Sequence, residues 1–333
     1  MLSLKFRRNL LIVLFVLSII LIVLTIFLKT DSNSTGTENE FVNHQEIKQR
    51  FINTLYEFGI EEALIKEKKI IDKTSDDDIV NFKIQVPKDL SIPEILLGIN
   101  QTFREDSLQI SSFERKKGGK SELELKHDRS IILRAEFNYS KNVLRNRGAI
   151  GFIIKDINPA ELSSNNLIQS STKLNFLLRP GSETLHSLES IYENGNQFSL
   201  LIDDEISEQK YKLNAAHSEK RIITVLKTLV TDFANAVSFI IDDNSEFYNS
   251  PNRELFTTEL RKRGIRISKI SDFVKLALEQ NPIDTFNQHI VNLKHGEKSI
   301  FILDEETFNV IHPEIIKSLK LGFRIVNTSL LFD

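Results

Sequence analysis

The sequence predicts an α/β protein: an incomplete (β/α) barrel over residues 148–333, preceded by a small α+β domain over 44–140 and an N-terminal transmembrane helix. Three observations carry this. Residues 10–28 are an apolar run broken only by Ser18 and Thr25. Between 44 and 140, two amphipathic helical stretches are interleaved with segments in which apolar and polar residues alternate. From 148 onward, short continuous apolar runs alternate with helical patterns of about 10–15 residues, the rhythm of a parallel sheet covered on both faces by its crossovers. A doubly wound open sheet is the runner-up for that part.

Residues 1–29 read as a cytoplasmic tail and membrane anchor. A helix over 10–28 spans about 28 Å, one hydrocarbon core. Lys5, Arg7 and Arg8 precede it, whereas Lys29 and Asp31 follow it and roughly cancel. The positive-inside rule then puts the N-terminus in the cytoplasm and the bulk outside, in a single-pass protein of the cytoplasmic membrane. A cleaved signal peptide would carry a shorter apolar region ending in a small-residue site, which Thr25-Ile26-Phe27 is not. Residues 30–43 are polar, lack apolar periodicity and read as a tether.

Residues 44–59 put Ile47, Phe51, Leu55 and Phe58 on one helical face, and Gly59 stops the helix. Residues 79–86 alternate ahead of Pro87, a half-buried strand. Residues 92–103 form a second amphipathic helix. Strands follow over 108–115, 123–126 and 131–139, with Lys117-Gly118-Gly119-Lys120 as the hairpin turn between the first two. This is one helical layer on a sheet, without a catalytic motif. The polar segment 141–147 links it onward.

The expected strands of the second domain are 149–154, 174–178, 198–202, 237–241, 265–267, 299–303 and 323–326, with helices near 183–194, 218–234, 252–263, 271–279, 284–294 and 313–320. In a barrel or an open α/β sheet, functional groups sit at the carboxyl ends of the strands. Asp203, Asp204, Glu205, Asp242, Asp243, Asp304, Glu305 and Glu306 all follow strands and share one rim if the barrel forms. Such oxygen ligands suit Ca²⁺ or Mg²⁺. They equally suit solvated loops.

Composition narrows the rest. A net charge of −3 supplies no basic field to draw nucleic acid. The absence of cysteine excludes disulfides, thiolate metal sites and cysteine nucleophiles. His289 and His295 are six apart, not an i, i+4 ligand pair, and His186, His217 and His312 are isolated. Ser218 and Ser245 lack a G-x-S-x-G context. Gly118-Gly119 precedes no strand-to-helix junction and is no phosphate loop. Lys116, Lys117 and Lys120 form a small basic hairpin tip.

Three stretches of 148–333 resemble the divergent polysaccharide deacetylases. GFIIKDI (151–157) is similar to their first apolar strand, which ends in Asp-Asp. LNFLLRPGSETLHSLESIYENGNQFSLLIDDE (174–205) is similar to a strand, a Pro-Gly turn, a helix, a glycine and a strand ending in His-x-Pro-Met-Glu. LGFRIVNTSLLFD (321–333) resembles the closing strand. The resemblance implies a barrel that removes acetyl groups from amino sugars with a divalent metal ion. It places the base at Lys155, the metal-holding Asp at Asp156, the imidazole ligand at Leu201 and the terminal Glu at Glu205. An Asn-His-x-Gly-Ser segment falls on 241–245, with its His at Asp242. A Phe-Leu-Asp-Ser segment falls on 268–271 and loses its Asp. A late Gly-His pair falls on Leu303-Asp304.

That chemistry needs a metal to generate hydroxide and a base to take its proton. Leu201 cannot ligate, and an ammonium at 155 repels a divalent cation. Lys155 is expected to pair with Asp156 or Asp242. The expectation is therefore a degenerate domain with no assured catalytic residue and no cofactor. It would bind cell-wall glycan or an envelope protein. The alternative is an active metal-dependent carbohydrate deacetylase with a carboxylate site rewired on Asp156, Glu205, Asp242 and Asp304.

Overall fold

The computed structural model describes residues 44–71, 78–114, 119–128, 130–140, 142–143, 145, 147–164 and 166–332. The expected anchor over 10–28, its tether, and Lys117-Gly118 of the expected hairpin turn lie outside the described residues. Among the described residues no helix is long and apolar enough to cross a membrane.

The first part contains α1 (His44–Glu57), β1 (Ile65–Ile71), β2 (Asp78–Val86), α2 (Ile92–Thr102), β3 (Leu108–Glu114), β4 (Ser121–His127) and β5 (Ser130–Tyr139). The strands form one sheet in the order β1-β2-β5-β4-β3. The apolar stripe of α1 buries Ile47, Phe51 and Leu55, and Phe51 stacks on Phe82 with ring centroids 5.3 Å apart. Both helices share one core with Ile84, Leu123, Leu125, Leu133 and Phe137 on the sheet. The opposite sheet face carries Arg134, Glu124, Glu136 and Lys126. Strand β1 was not expected. Its sequence, IKEKKII, spreads charge along an edge strand, which discourages pairing with other chains and also hides the strand from a hydrophobic reading.

The second part contains β6 (Ala149–Ile154), β7 (Leu174–Leu178), α3 (Ser182–Glu193), β8 (Gln197–Ile202), α4 (Glu219–Asp232), β9 (Phe239–Ile241), α5 (Asn252–Lys262), β10 (Ile267–Lys269), β11 (Val274–Lys275), α6 (Pro282–Asn292), β12 (Lys298–Leu303), α7 (Glu305–Leu321) and β13 (Arg324–Ile325). All pairs are parallel, in the order β10-β9-β8-β7-β6-β12-β11. Short β13 pairs Ala149 and Ile150 of β6, below the point where β7 joins at Phe152.

Chain connectivity forces this sheet to curl. Laid flat, its six inter-strand steps would put the edges about 29 Å apart. Yet Lys269 ends one edge strand and Val274 begins the other, five residues on (274 − 269), a reach of at most about 18 Å. The outer face presents Phe152, Phe176, Phe198, Phe239 and Phe301 to the helices. The inner face holds a thin apolar layer of Ile153, Leu177, Leu201, Ile240 and Ile302. Beneath that layer the chain's end plugs the barrel. Asn175 Nδ2 donates to Thr328 Oγ1 (2.6 Å) and Ser199 Oγ (2.9 Å). Gly151 leaves room for the plug, since a Cβ there would lie 2.6 Å from Leu331 Cδ1.

Two expectations need correction. Residues 271–279 are not a helix: two short 3₁₀ turns flank β11, because this stretch must carry the chain between the two sheet edges. The last helix begins at Glu305, not Pro313, and runs through that proline. Asp304 caps it and Glu305 and Glu306 favour its positive end, signals that outweigh the proline. Within the linker, one residue is held from both sides. Arg145 has a side chain only 7% exposed. Its Nε donates to Asp89 (3.0 Å) and its Nη1 to the Phe58 carbonyl (2.7 Å) and the Lys320 carbonyl. It thereby satisfies carbonyls at the C-terminal ends of α1 and α7, one helix from each part.

Candidate functional site

Because every strand of the curled sheet runs the same way, the residues that follow each strand meet at one rim. Lys155 and Asp156 follow β6, Arg179 follows β7, Asp203 to Glu205 follow β8, Asp242 and Asp243 follow β9, and Asp304 follows β12. Lys269 closes β10. A cleft of about 380 Å³ opens there, lined among others by Asp156, Leu177, Arg179, Leu201, Glu205 and Glu208.

The carboxylates at this rim are each engaged locally. Lys155 Nζ donates to Asp156 Oδ2, the first of the two partners expected for it. Asp156 sits at φ +58, a left-handed backbone that aspartate tolerates better than most residues. Arg179 donates through Nε to Asp203 Oδ2 (2.6 Å) and pairs through Nη2 with Glu205 Oε2 (2.6 Å). Asp203 is buried, and burial pushes its carboxyl above the ordinary range although Arg179 pulls the other way. Asp242 accepts from Asn244 N (2.9 Å) and so shapes its own turn. Burial works to raise the Asp304 carboxyl. The Thr307 amide (2.8 Å) and the nearby Lys155 charge outweigh that and hold it below the ordinary range. Asp243 is held low chiefly by a hydrogen bond from Ser271, with Lys269 assisting. Asp204 accepts from Glu246 N (2.7 Å) and ties two loops together.

The expected ligand set of Asp156, Glu205, Asp242 and Asp304 is therefore not assembled. Among the described residues no group of three or more His, Cys, Asp or Glu side chains could hold a metal ion. The donor chemistry agrees. Leu201, where the resemblance puts an imidazole, belongs to the apolar layer with Leu177 and Ile240. The rim above it carries a guanidinium and an ammonium. Such a set does not fit a divalent metal. His289 lies elsewhere, bonded to Ser299 near the start of β12 (2.8 Å), and burial lowers its pKa.

Arg179 is the site residue that reading the sequence missed. It directly follows the strand at 174–178, a position where functional groups gather, but the sequence does not show which acids the fold brings to it.

No sequence-family profile matches the chain, and no curated protein matches it. Among solved structures it is similar to a CE4-family pseudoenzyme from Bacillus anthracis, at 13% identity and TM-score 0.39, over 87% of this chain and 95% of that one. It is also similar to the peptidoglycan deacetylase PdaC from Bacillus subtilis, at 17% identity and TM-score 0.36, over 57% of this chain and 92% of that one. A third neighbour is the catalytic domain of a peptidoglycan N-acetylglucosamine deacetylase from Eubacterium rectale, at 12% identity and TM-score 0.34, over 54% of this chain and 89% of that one. The chemistry at this rim is decided by its own residues.

Proposed function

We propose that the protein is a membrane-anchored extracytoplasmic binder of cell-wall glycan whose deacetylase-like domain performs no catalysis. One observation carries the reading: the positions that the resemblance assigns to the base and an imidazole ligand hold Lys155, paired to Asp156, and Leu201, packed in the barrel interior. Metal-bound hydroxide has neither a cage nor a base here. The cleft remains. It sets apolar Ile157, Leu177 and Leu201 beside polar Ser182, Ser207 and Glu208, a mixture suited to the faces and hydroxyl edges of a sugar ring. The anchoring part rests on the apolar run over 10–28 and on Lys5, Arg7 and Arg8 before it.

The full-length protein in detergent should be retained by peptidoglycan sacculi and release no acetate from acetylated amino-sugar oligomers, with or without added zinc. Ser207→Trp, which fills the cleft, should weaken retention. Acetate release that Asp156→Ala abolishes would replace this reading with the rewired carboxylate enzyme. Absence of retention would leave an envelope protein as the partner to seek. Protease added to spheroplasts with the outer membrane breached should digest 30–333, and a protected C-terminal part would sink the topology.

A further inference from the structure

We infer that the rim supplies its own counter-cations, with Arg179 holding the position of charge that a divalent ion would otherwise fill, so that the domain is independent of ions as built and becomes ion-dependent when Arg179 is removed.

The sheet order sets charges around the rim in sequence: Lys269 on β10, Asp242 and Asp243 after β9, Asp203 and Glu205 after β8, Arg179 after β7, Lys155 and Asp156 after β6, and Asp304 after β12. Each cation serves carboxylates on its own or a neighbouring strand end. Lys155 bonds Asp156 and acts on Asp304, and Lys269 acts on Asp243. Arg179 does most, because one planar guanidinium spans two carboxylates at 2.6 Å each. Of the two it is Asp203 that needs such a partner, since Glu205 is largely exposed. Asp203 is 5% exposed, and Glu205, two residues on, repels its charge. A buried carboxylate without a cation is strongly disfavoured.

Without Arg179, the β8 turn would present two carboxylates with no cation between them. A hard dication, which takes oxygen ligands and keeps part of its water, is the exogenous species that answers this need. The inference is independent of what the cleft binds. Sacculus retention and acetate release read the functional proposal, whereas ion-dependent stability reads this one.

The test is thermal unfolding of full-length protein in detergent, in EDTA and in millimolar calcium or magnesium chloride. The wild-type midpoint should be the same in all three. In EDTA, Arg179→Ala should melt about 5 °C lower, and calcium should restore at least half of that loss. Arg179→Lys should stay indifferent to ions, since it keeps a cation. Arg179→Ala with Asp203→Asn should lose the calcium response. If Arg179→Ala does not fold, Arg179→Gln carries the same comparison. A destabilised Arg179 variant that no divalent ion rescues overturns the inference, as does a wild type that calcium stabilises equally.

Discussion

The open face of the N-terminal sheet and the rim of the curled sheet are both built from paired charges, but the pairs do different things. On the open face, Arg134 lies directly across the antiparallel ladder from Glu124 and donates to it through Nε (3.0 Å) and Nη2 (2.8 Å), while Lys126 adds a contact of 2.7 Å. Lys120 pairs with Glu136 at 2.6 Å. Both glutamates are held below their ordinary range, Glu124 mainly by its bond to Lys126 and Glu136 mainly by Lys120, because burial is too slight to oppose them. At the rim Asp304 and Asp243 are likewise held low, but at the Arg179 pair the balance reverses. Asp203 has a guanidinium at 2.6 Å, yet burial still raises its carboxyl. An ion pair on a solvated sheet face adds a little stability. The same pair at the mouth of a barrel neutralises a charge that the fold has partly buried.

If that contrast is right, stability resides in the apolar layers rather than in either set of charges, and the largest loss should come from the core. Phe152 packs against Phe301 and Phe308, each with centroids 5.7 Å away. Phe152→Ala should cost about 4 kcal/mol by denaturant titration. A loss as small as that of a surface charge would mean the helices are loosely seated on the sheet.

Arg145 should come next. Arg145→Ala removes the buried fork that joins the ends of α1 and α7 and should cost about 2–3 kcal/mol. Calorimetry should then resolve two transitions where the wild type shows one. A single shifted transition would show that the two cores melt together without the clasp.

The pH dependence should separate the two regions with the smallest effect, about 1 kcal/mol. Glu124 and Glu136 lie below their ordinary value of 4.5, so their contribution is present above it and lost as pH falls through their folded values. Asp203 lies above its ordinary value of 3.8, so its contribution is full below that value and lost as pH rises through the folded one. Glu124→Gln with Glu136→Gln should flatten the acid limb of the stability profile. Asp203→Asn should remove an acid-side gain and so steepen that limb. Shifts of the same sign in both variants would erase the distinction between face and rim.

Most of the curled sheet was legible in the sequence because its strands, such as 149–154 and 174–178, are almost wholly apolar runs of the kind a doubly covered sheet buries. What escaped has three separate causes. Strand β1 is masked by Lys66, Glu67 and Lys68, β11 is only two residues long, and α7 keeps apolar spacing at Phe308, Ile311 and Ile315 but carries Pro313, which reads as a helix start. At the site, the departures of Lys155 and Leu201 from the residues the resemblance implies could be read from identity alone. The role of Arg179 could not, since it depends on which acids the fold brings within 2.6 Å.

The proposed lack of metal chemistry at this mouth rests on Lys155 and Leu201, which stand where the resemblance implies a base and an imidazole. Zinc titration by calorimetry, run on full-length wild type and on Lys155→Asp with Leu201→His, tests it most directly. The wild type should show no saturable zinc binding. The double variant should gain micromolar affinity yet release no acetate, because Asp242 and Asp304 still stand where the resemblance expects imidazoles and no tuned partners orient them. Stoichiometric zinc in the wild type, with acetate release that Asp156→Ala abolishes, would establish the rewired metal enzyme instead.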